Sequence, residues 1–416
     1  MSHIKFTPAQ QAAISYDAPE ILVSAAAGSG KTAVLAERIL RHISNNIGID
    51  QLLVVTFTEA AAAEMKERVT HKLHDLQIEN PSTHIANQAA LLATADISTI
   101  HAFCRKLVKE HFQVIDIDPA FRVADDSELG LIKKQVMDEL FEQEYATSDN
   151  APFIDLANVY GGKAKDDRLD ALVRRMYAFL ESDPFPLAAA SRYASKFDEI
   201  KMLDATPWAR LVRTELAAGL DGIIEGLNLA AEVCHLPGGP EKYIEKIEEN
   251  IAMISNLRRS IDTPFHEMYQ AFLRVDWGSL PPIREKDEVN AALKERAQRI
   301  RNTEAKERLK DLVSGVFFAP PSKMQADLEA LAPRVAALMS LVIRYAEAFA
   351  AEKRKRNILD FSDLEHFAIK ILYPSGPDDM TPSAVARGIS EKYHEVLIDE
   401  YQDSNKVQDL ILSTVA

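Results

Sequence analysis

The stretch ILVSAAAGSGKT, residues 21–32, decides how the rest of the chain is read. A short apolar run, 21–24, reads as a strand entering a turn of small residues. A helical pattern leaves that turn, with Val34, Leu35, Ile39, Leu40 and Ile43 spaced to share one face. Gly28 and Gly30 permit a tight turn that aims backbone N–H groups inward, and the helix start adds partial positive charge. Phosphate oxygens are what such a turn attracts. Lys31 is placed to reach β- and γ-phosphates, and the Thr32 hydroxyl to hold Mg²⁺. Ala25 stands where the phosphate-loop pattern has its first glycine, and Ala26, Ala27 and Ser29 complete the cradle. The turn implies binding of a nucleoside triphosphate and is silent on what the energy drives.

The flanking sequence repeats the strand–helix alternation. LLVVTF (52–57) is β-branched and apolar, a second buried strand. Residues 60–76 are rich in Ala, Glu, Met, Lys and Arg, which favour helix. A third short strand is expected at 97–100, followed by a helix over 101–112. From about 115 to 345 strand signals are few. Helical faces recur instead, for example over 127–145 and 167–180, with proline-bearing breaks near 184–186, 237–240 and 281–282. Alternation returns near the end with a strand at 395–398. The pattern implies an α/β protein with a parallel sheet and helices on both faces, interrupted by a large, mainly helical insertion. The boundaries that follow are 1–114 with 346–416 for the sheet-building domain and 115–345 for the insertion.

The strand at 395–398 opens into DEYQD (399–403). A phosphate loop needs a carboxylate on a neighbouring strand to hold Mg²⁺. Asp399 fits that role, and Glu400 is next to it, where it can orient or deprotonate an attacking water. Gln402 is a neutral amide beside the γ-phosphate position, suited to sensing hydrolysis. Asp403 reads equally well as a helix cap.

Composition narrows the classes. The chain has 416 residues, 47% of them hydrophobic, and a formal charge of −15. That length suits two or three domains at about 150 residues each, and the hydrophobic fraction suits a sizeable core. The acidic balance argues against coating nucleic acid by charge alone, while leaving room for a local basic groove. The longest apolar run, residues 335–343, falls short of the ~18 residues a membrane span needs. No apolar secretory run opens the sequence. Two cysteines cannot build a zinc cluster or a disulfide framework. A cytoplasmic, multi-domain, globular protein is the expectation.

Five motifs in order now resemble a family. FTPAQQAAI (6–14) is similar to an adenine-reading Q motif, with Gln10 on the adenine edge. AAAGSGKT is similar to a phosphate loop with alanine first, VVTFTEAAAAEMKER (54–68) to motif Ia, STIHAFC (98–104) to motif Ib, and DEYQD to motif II. Together they resemble the N-terminal motor half of superfamily 1 DNA helicases of the UvrD/RecB type. Within that family, residues 160–186 and NILDFSDLEHFAIKIL (357–372) resemble the A subunits of AddAB-type helicase–nucleases.

The resemblance implies a RecA-like P-loop fold, with ATP and Mg²⁺ as cofactors and with DNA and an AddB-type protein as partners. It also implies 3′-to-5′ translocation in double-strand-break repair by homologous recombination. Carried over, Thr56, Phe57, Thr58, His101 and Phe103 line a single-strand track, where hydroxyls bond phosphates and aromatics stack on bases. Phe57, which alternates with Val55, and Phe103 on its helix also read as buried core residues. Arg68 meets a DNA phosphate or pairs with Glu64 one helical turn away. The basic run 353–356 reads as a DNA patch or a charged helix end, and Asp360 and Asp363 as structural, Asp360 as a cap. Glu59 and Ala102 depart from the family, which has Asn and Ser there.

The family's second motor domain, its γ-phosphate-contacting arginines and its nuclease all lie beyond motif II. A fragment is therefore expected, one with little hydrolysis and no unwinding alone. A UvrD-type helicase without nuclease, a DNA-binding ATP switch and a metabolic kinase remain as alternatives.

Overall fold

LLVVT is apolar at every position, as a strand covered on both faces must be. In the computed structural model of the protein it forms β1 (Leu52–Thr56), buried throughout. The structure describes residues 6–26, 28–79, 81–162, 166–198, 202–284 and 288–416. β2 (Ile97–Thr99) and β3 (Glu395–Ile398) flank β1, both parallel to it. The register places Val54 opposite Ile97 on one side and Leu397 on the other.

Seven helices position the site: α1 (Pro8–Ser15), α2 (Lys31–Ser44), α3 (Glu59–Glu79), α4 (Ile100–Glu110), α5 (Phe361–Leu372), α6 (Ala384–Lys392) and α7 (Lys406–Val415). The pleat of β1 divides them. Leu52 and Val54 pack with Ile39 and Ile43 of α2 and Met65, Val69 and Leu73 of α3. Leu53 and Val55 join the opposite core, which includes Phe103 and Leu107 of α4, Leu364 and Ala368 of α5, Ala386 of α6 and Ile411 of α7. Each buried Leu or Ile adds about 1.5–3 kcal/mol relative to exposure. The sheet with a helical layer on each face is the α/β arrangement that the sequence implies.

One expected strand does not form. Residues 21–24 carry no ladder, and Leu22 and Val23 are exposed. An apolar run becomes a strand when a neighbour accepts its N–H groups, and here β3 pairs only with β1 among the described residues. Elsewhere expected and observed elements agree closely, as at Asp167–Leu180 and Glu395–Ile398.

The chain divides into two compact units, Met1–Arg192 with Leu338–Ala416, and Tyr193–Ala337. The helices at 126–146 and 167–180 thus belong with the sheet-bearing unit. The second unit is helical among its described residues and has its own core. There Leu216, Leu220 and Ile223 of Pro207–His235 pack with Ile247 and Ile254 of Ile244–Ser260 and Met268 of Phe265–Leu273. Among the described residues no helix is long and apolar enough to cross a membrane.

Candidate nucleotide site

The small-residue turn is held from outside and from within. Gly28 and Gly30 have φ of +76° and +83°, the left-handed region that glycine enters without strain. A Cβ on Gly30 would also come within 3.2 Å of the Gln10 amide nitrogen. Thr7 caps α1 and forms a capping box with Gln10, whose Oε1 accepts the Thr7 N–H at 2.8 Å. The other end of the same amide donates to the Ser29 carbonyl at 2.9 Å. Ala27 lies outside the described residues. The Ser29 hydroxyl is buried with no hydrogen-bond partner among the described residues, so the cradle keeps one unspent polar atom. Lys31 opens α2. Its ammonium lies 3.4 Å from the Ala25 carbonyl and 3.6 Å from the Glu400 carboxylate, contacts long enough to leave it free for an anion.

The acidic strand end faces this turn. Asp399 extends the ladder by one bond, its N–H donating to the Val55 carbonyl at 2.9 Å. Burial and the neighbouring Glu400 charge push the Asp399 carboxyl above the ordinary carboxylate value. Glu400 has φ +56°, a left-handed conformation uncommon outside glycine. Its carboxyl is held low by a hydrogen bond from the Gln402 amide and by Lys31, which keeps it ionised. The turn, Arg68, Glu400 and Gln402 enclose an open cleft of about 600 Å³. A flexible ammonium, backbone donors, a hydroxyl and paired carboxylates are the donor set that Mg²⁺ with a triphosphate requires. Arg68 lines this cleft and pairs with Glu64 at 2.6 Å one helical turn away, the second of its two sequence readings.

Residues 6–217 and 241–416 match the UvrD/REP helicase N-terminal domain. The chain belongs to the UvrD/REP helicase family. Similar proteins include the A subunit of the ATP-dependent helicase/nuclease of Desulforamulus reducens, 39% identical over 425 residues, covering 100% of this chain and 34% of that protein. The same-named protein of Geobacillus thermodenitrificans is 37% identical over 419 residues, covering 99% of this chain and 34% of its own length. That of Pelotomaculum thermopropionicum is 39% identical over 419 residues, with 99% and 33% covered. The chain thus spans about a third of the length of the relatives it matches.

The motif Ia and Ib residues of this UvrD/REP chain separate into two sets. Phe57 follows the last buried residue of β1 and is 63% exposed. The Thr58 hydroxyl accepts the Ala61 N–H at 3.1 Å and starts α3. His101, in the first turn of α4, is half-buried, and its ring lies 4.8 Å from that of the exposed Phe361. Phe57, Thr58 and His101 are thus open to a ligand. Thr56 and Phe103 are corrections. Thr56 is buried, its hydroxyl donating to the Thr58 carbonyl at 3.0 Å. Phe103 packs in the core beside Leu107, leaving no ring face for a base.

The basic run 353–356 is divided: Lys353 is buried, while Arg354, Lys355 and Arg356 are exposed at the helix end. Lys353 is 3% exposed and bridges Asp360 and Asp363 at 2.8 and 2.7 Å. Lys355 and Arg356 both reach Glu352. Asp360 caps α5 in a capping box with Asp363.

Sequence reasoning missed one anchor. Arg38 of α2 grips Glu395 with Nε and Nη2, at 2.9 and 2.6 Å, and donates through Nη1 to the carbonyls of Ala13 and Tyr16. This joins the turn's helix to the start of the acidic strand and the end of α1. An arginine on an otherwise apolar helix face is the signal that would have found it.

Proposed function

We propose that this chain is the ATP-binding motor segment of a 3′-to-5′ DNA helicase/nuclease that works in double-strand-break repair by homologous recombination. Residues 1–114 and 346–416 carry the RecA-like motor and 115–345 the helical insertion. The part of the insertion before Tyr193 and after Ala337 packs with the motor, and Tyr193–Ala337 is a compact unit of its own. The turn's amides and Lys31 hold the phosphates of ATP. Thr32 and Asp399 hold Mg²⁺, which supplies charge neutralisation when bound. Glu400, kept ionised, orients the attacking water and takes its proton, and Gln402 senses the result. Gln10 braces the turn and meets the base. Phe57, Thr58 and His101 contact a single DNA strand. The whole enzyme acts in the cytoplasm with an AddB-type partner. The need for a partner is supported by its relatives, which are named as A subunits of ATP-dependent helicase/nucleases.

The observation that carries the reading is the 3.6 Å approach of Lys31 to Glu400 across the cleft. A phosphate-binding cation and a proton-accepting carboxylate converge there from opposite ends of the chain. The test is steady-state ATP turnover by the intact native enzyme on single-stranded DNA. Lys31→Ala and Glu400→Gln each lower it by ~10²–10³-fold, as lost transition-state contacts do. Glu400→Gln retains nucleotide affinity and Lys31→Ala loses it. Near-wild-type turnover in either variant overturns the assignment.

A further inference from the structure

Glu365 is a carboxylate the proposed chemistry does not use, yet it is among the most buried in the sheet-bearing unit, at 5% exposure. It sits on α5 between core residues Leu364 and Ala368. An isolated buried carboxylate is costly and needs partners. It has two, from two different helices, on one oxygen. His101 Nε2 of α4 lies 3.1 Å from Oε1, and the Gln408 amide of α7 donates to the same atom at 2.7 Å. Burial pushes the carboxyl up, but these two contacts outweigh it and hold Glu365 below the ordinary glutamate value.

Each partner leads somewhere. His101 rests against the exposed Phe361 ring. Gln408 is the third residue of α7, and its amide oxygen accepts the Asn405 N–H in a capping box. The next residue, Asp409, accepts the Tyr401 hydroxyl at 2.6 Å, and Tyr401 directly follows Glu400. A short chain of contacts therefore joins the aromatic face at His101 to the residues beside the cleft.

We propose that Glu365 is a positioning residue that couples occupation of the His101 face by single-stranded DNA to the acidic strand end at the ATP cleft, through Gln408 and α7. This rests on the proposed motor function. A strand pressing on His101 displaces the imidazole relative to Glu365. The carboxylate is gripped by α7 as well, so the displacement reaches the first turn of α7 and the Tyr401 tether. Coupling between sites is carried by packed side chains and hydrogen-bond networks, and this contact chain is such a network, whose coupling the experiment measures.

The experiment compares the intact native enzyme with Glu365→Ala, Glu365→Gln and Gln408→Glu. Gln408→Glu keeps a carboxylate for the capping box but faces Glu365 with like charge. Readouts are ATP turnover with and without oligo(dT), the KM for ATP, oligo(dT) affinity and the thermal midpoint. In Glu365→Ala and Gln408→Glu, DNA stimulation is expected to fall about tenfold, inside the usual range for coupled sites. DNA-free turnover and the KM for ATP stay near wild type, and Glu365→Gln, which still accepts from Gln408, recovers part of the stimulation. A merely structural role predicts that all activities fall together with the midpoint, which overturns the proposal. If Glu365→Ala does not fold, Gln408→Glu decides alone, and wild-type stimulation there overturns it equally. An unaltered enzyme that DNA does not stimulate sinks the motor reading itself, a separate result.

Discussion

The side-chain amide of Gln10 donates to the backbone carbonyl of Ser29 at 2.9 Å, so α1 clamps the phosphate turn from outside. The same amide accepts the Thr7 N–H, so one side chain ties the helix cap to the turn. Removing it releases a turn that already uses two left-handed glycines. Gln10→Ala is expected to weaken ATP binding by about 1–3 kcal/mol, the cost of two hydrogen bonds and a loosened cradle. Because the bond is to the turn, inorganic tripolyphosphate weakens too, though less than ATP. Competition against a fluorescent nucleotide measures both. Unchanged tripolyphosphate affinity would confine Gln10 to base recognition.

Phe57 and Phe103 make a second, opposed pair. Phe57 is exposed and Phe103 buried, although both belong to motifs expected to touch DNA. Phe57→Ala is expected to cut oligo(dT) affinity by ~1–3 kcal/mol, the value of one stacked base, and to leave the thermal midpoint unchanged. Phe103→Ala leaves a cavity in the α4 core and costs ~3–5 kcal/mol of stability. Denaturant titration and fluorescence anisotropy on both variants separate the two. A stable Phe103→Ala with weakened DNA binding reverses the assignment.

These two phenylalanines show what is legible in the sequence. Phe103 lies on a helix whose Ile100, Cys104 and Leu107 recur at helical spacing, so its burial is readable from the periodicity. Phe57 stands one residue past the buried run of β1, where alternation no longer applies. β1, β3 and α2 are legible because each carries its own local signal, a continuous apolar run or a 3.6-residue stripe. Residues 21–24 carry the same signal as β1 and form no strand, because strand formation depends on a ladder partner that no local pattern specifies. Lys31, Asp399 and Glu400 are legible as chemistry because their types and order are unusual together. Glu365 and Lys353 are not, and Arg38 stands out only as a lone charge on an apolar helix face. Their meaning lies in partners brought together by folding, and a charged residue in a helix reads as solvated until its neighbours are known.

Lys353 is the clearest such case. Its ammonium is buried between the carboxylates of Asp360 and Asp363, which raise its affinity for the proton against the opposing effect of burial. Deleting one member of a buried ion cluster strands the others. Lys353→Met is expected to destabilise the protein by about 3–5 kcal/mol and to loosen the cap of α5. Lys355→Met, at an exposed pair with Glu352, costs less than about 1 kcal/mol. Thermal unfolding of the two variants checks the contrast. Equal midpoints would make the run 353–356 an ordinary charged surface.

Three buried carboxylates contribute to acid stability with one sign. Burial pushes Asp96, Glu365 and Glu395 upward, yet their partners outweigh it: Lys106, Lys392 and Tyr393 at Asp96, His101 and Gln408 at Glu365, and His42 and Arg38 at Glu395. All three are held below their ordinary values of 3.8, 4.5 and 4.5. A group whose pKa is lower in the folded state binds fewer protons there, so the stability it contributes is present above the unfolded value. That stability drains as pH falls through the folded one. Burial pushes Asp363 the other way, up to about 6, so it takes up a proton in the folded state and offsets part of the loss. The three carboxylates' contribution to the thermal midpoint is therefore expected to fall below the ordinary carboxylate values, at fixed ionic strength. Glu395→Gln leaves Arg38 without its anion, lowers the neutral-pH midpoint and flattens the acid limb. A midpoint that holds or rises down to pH 3 would show that these carboxylates do not bind their partners as ions.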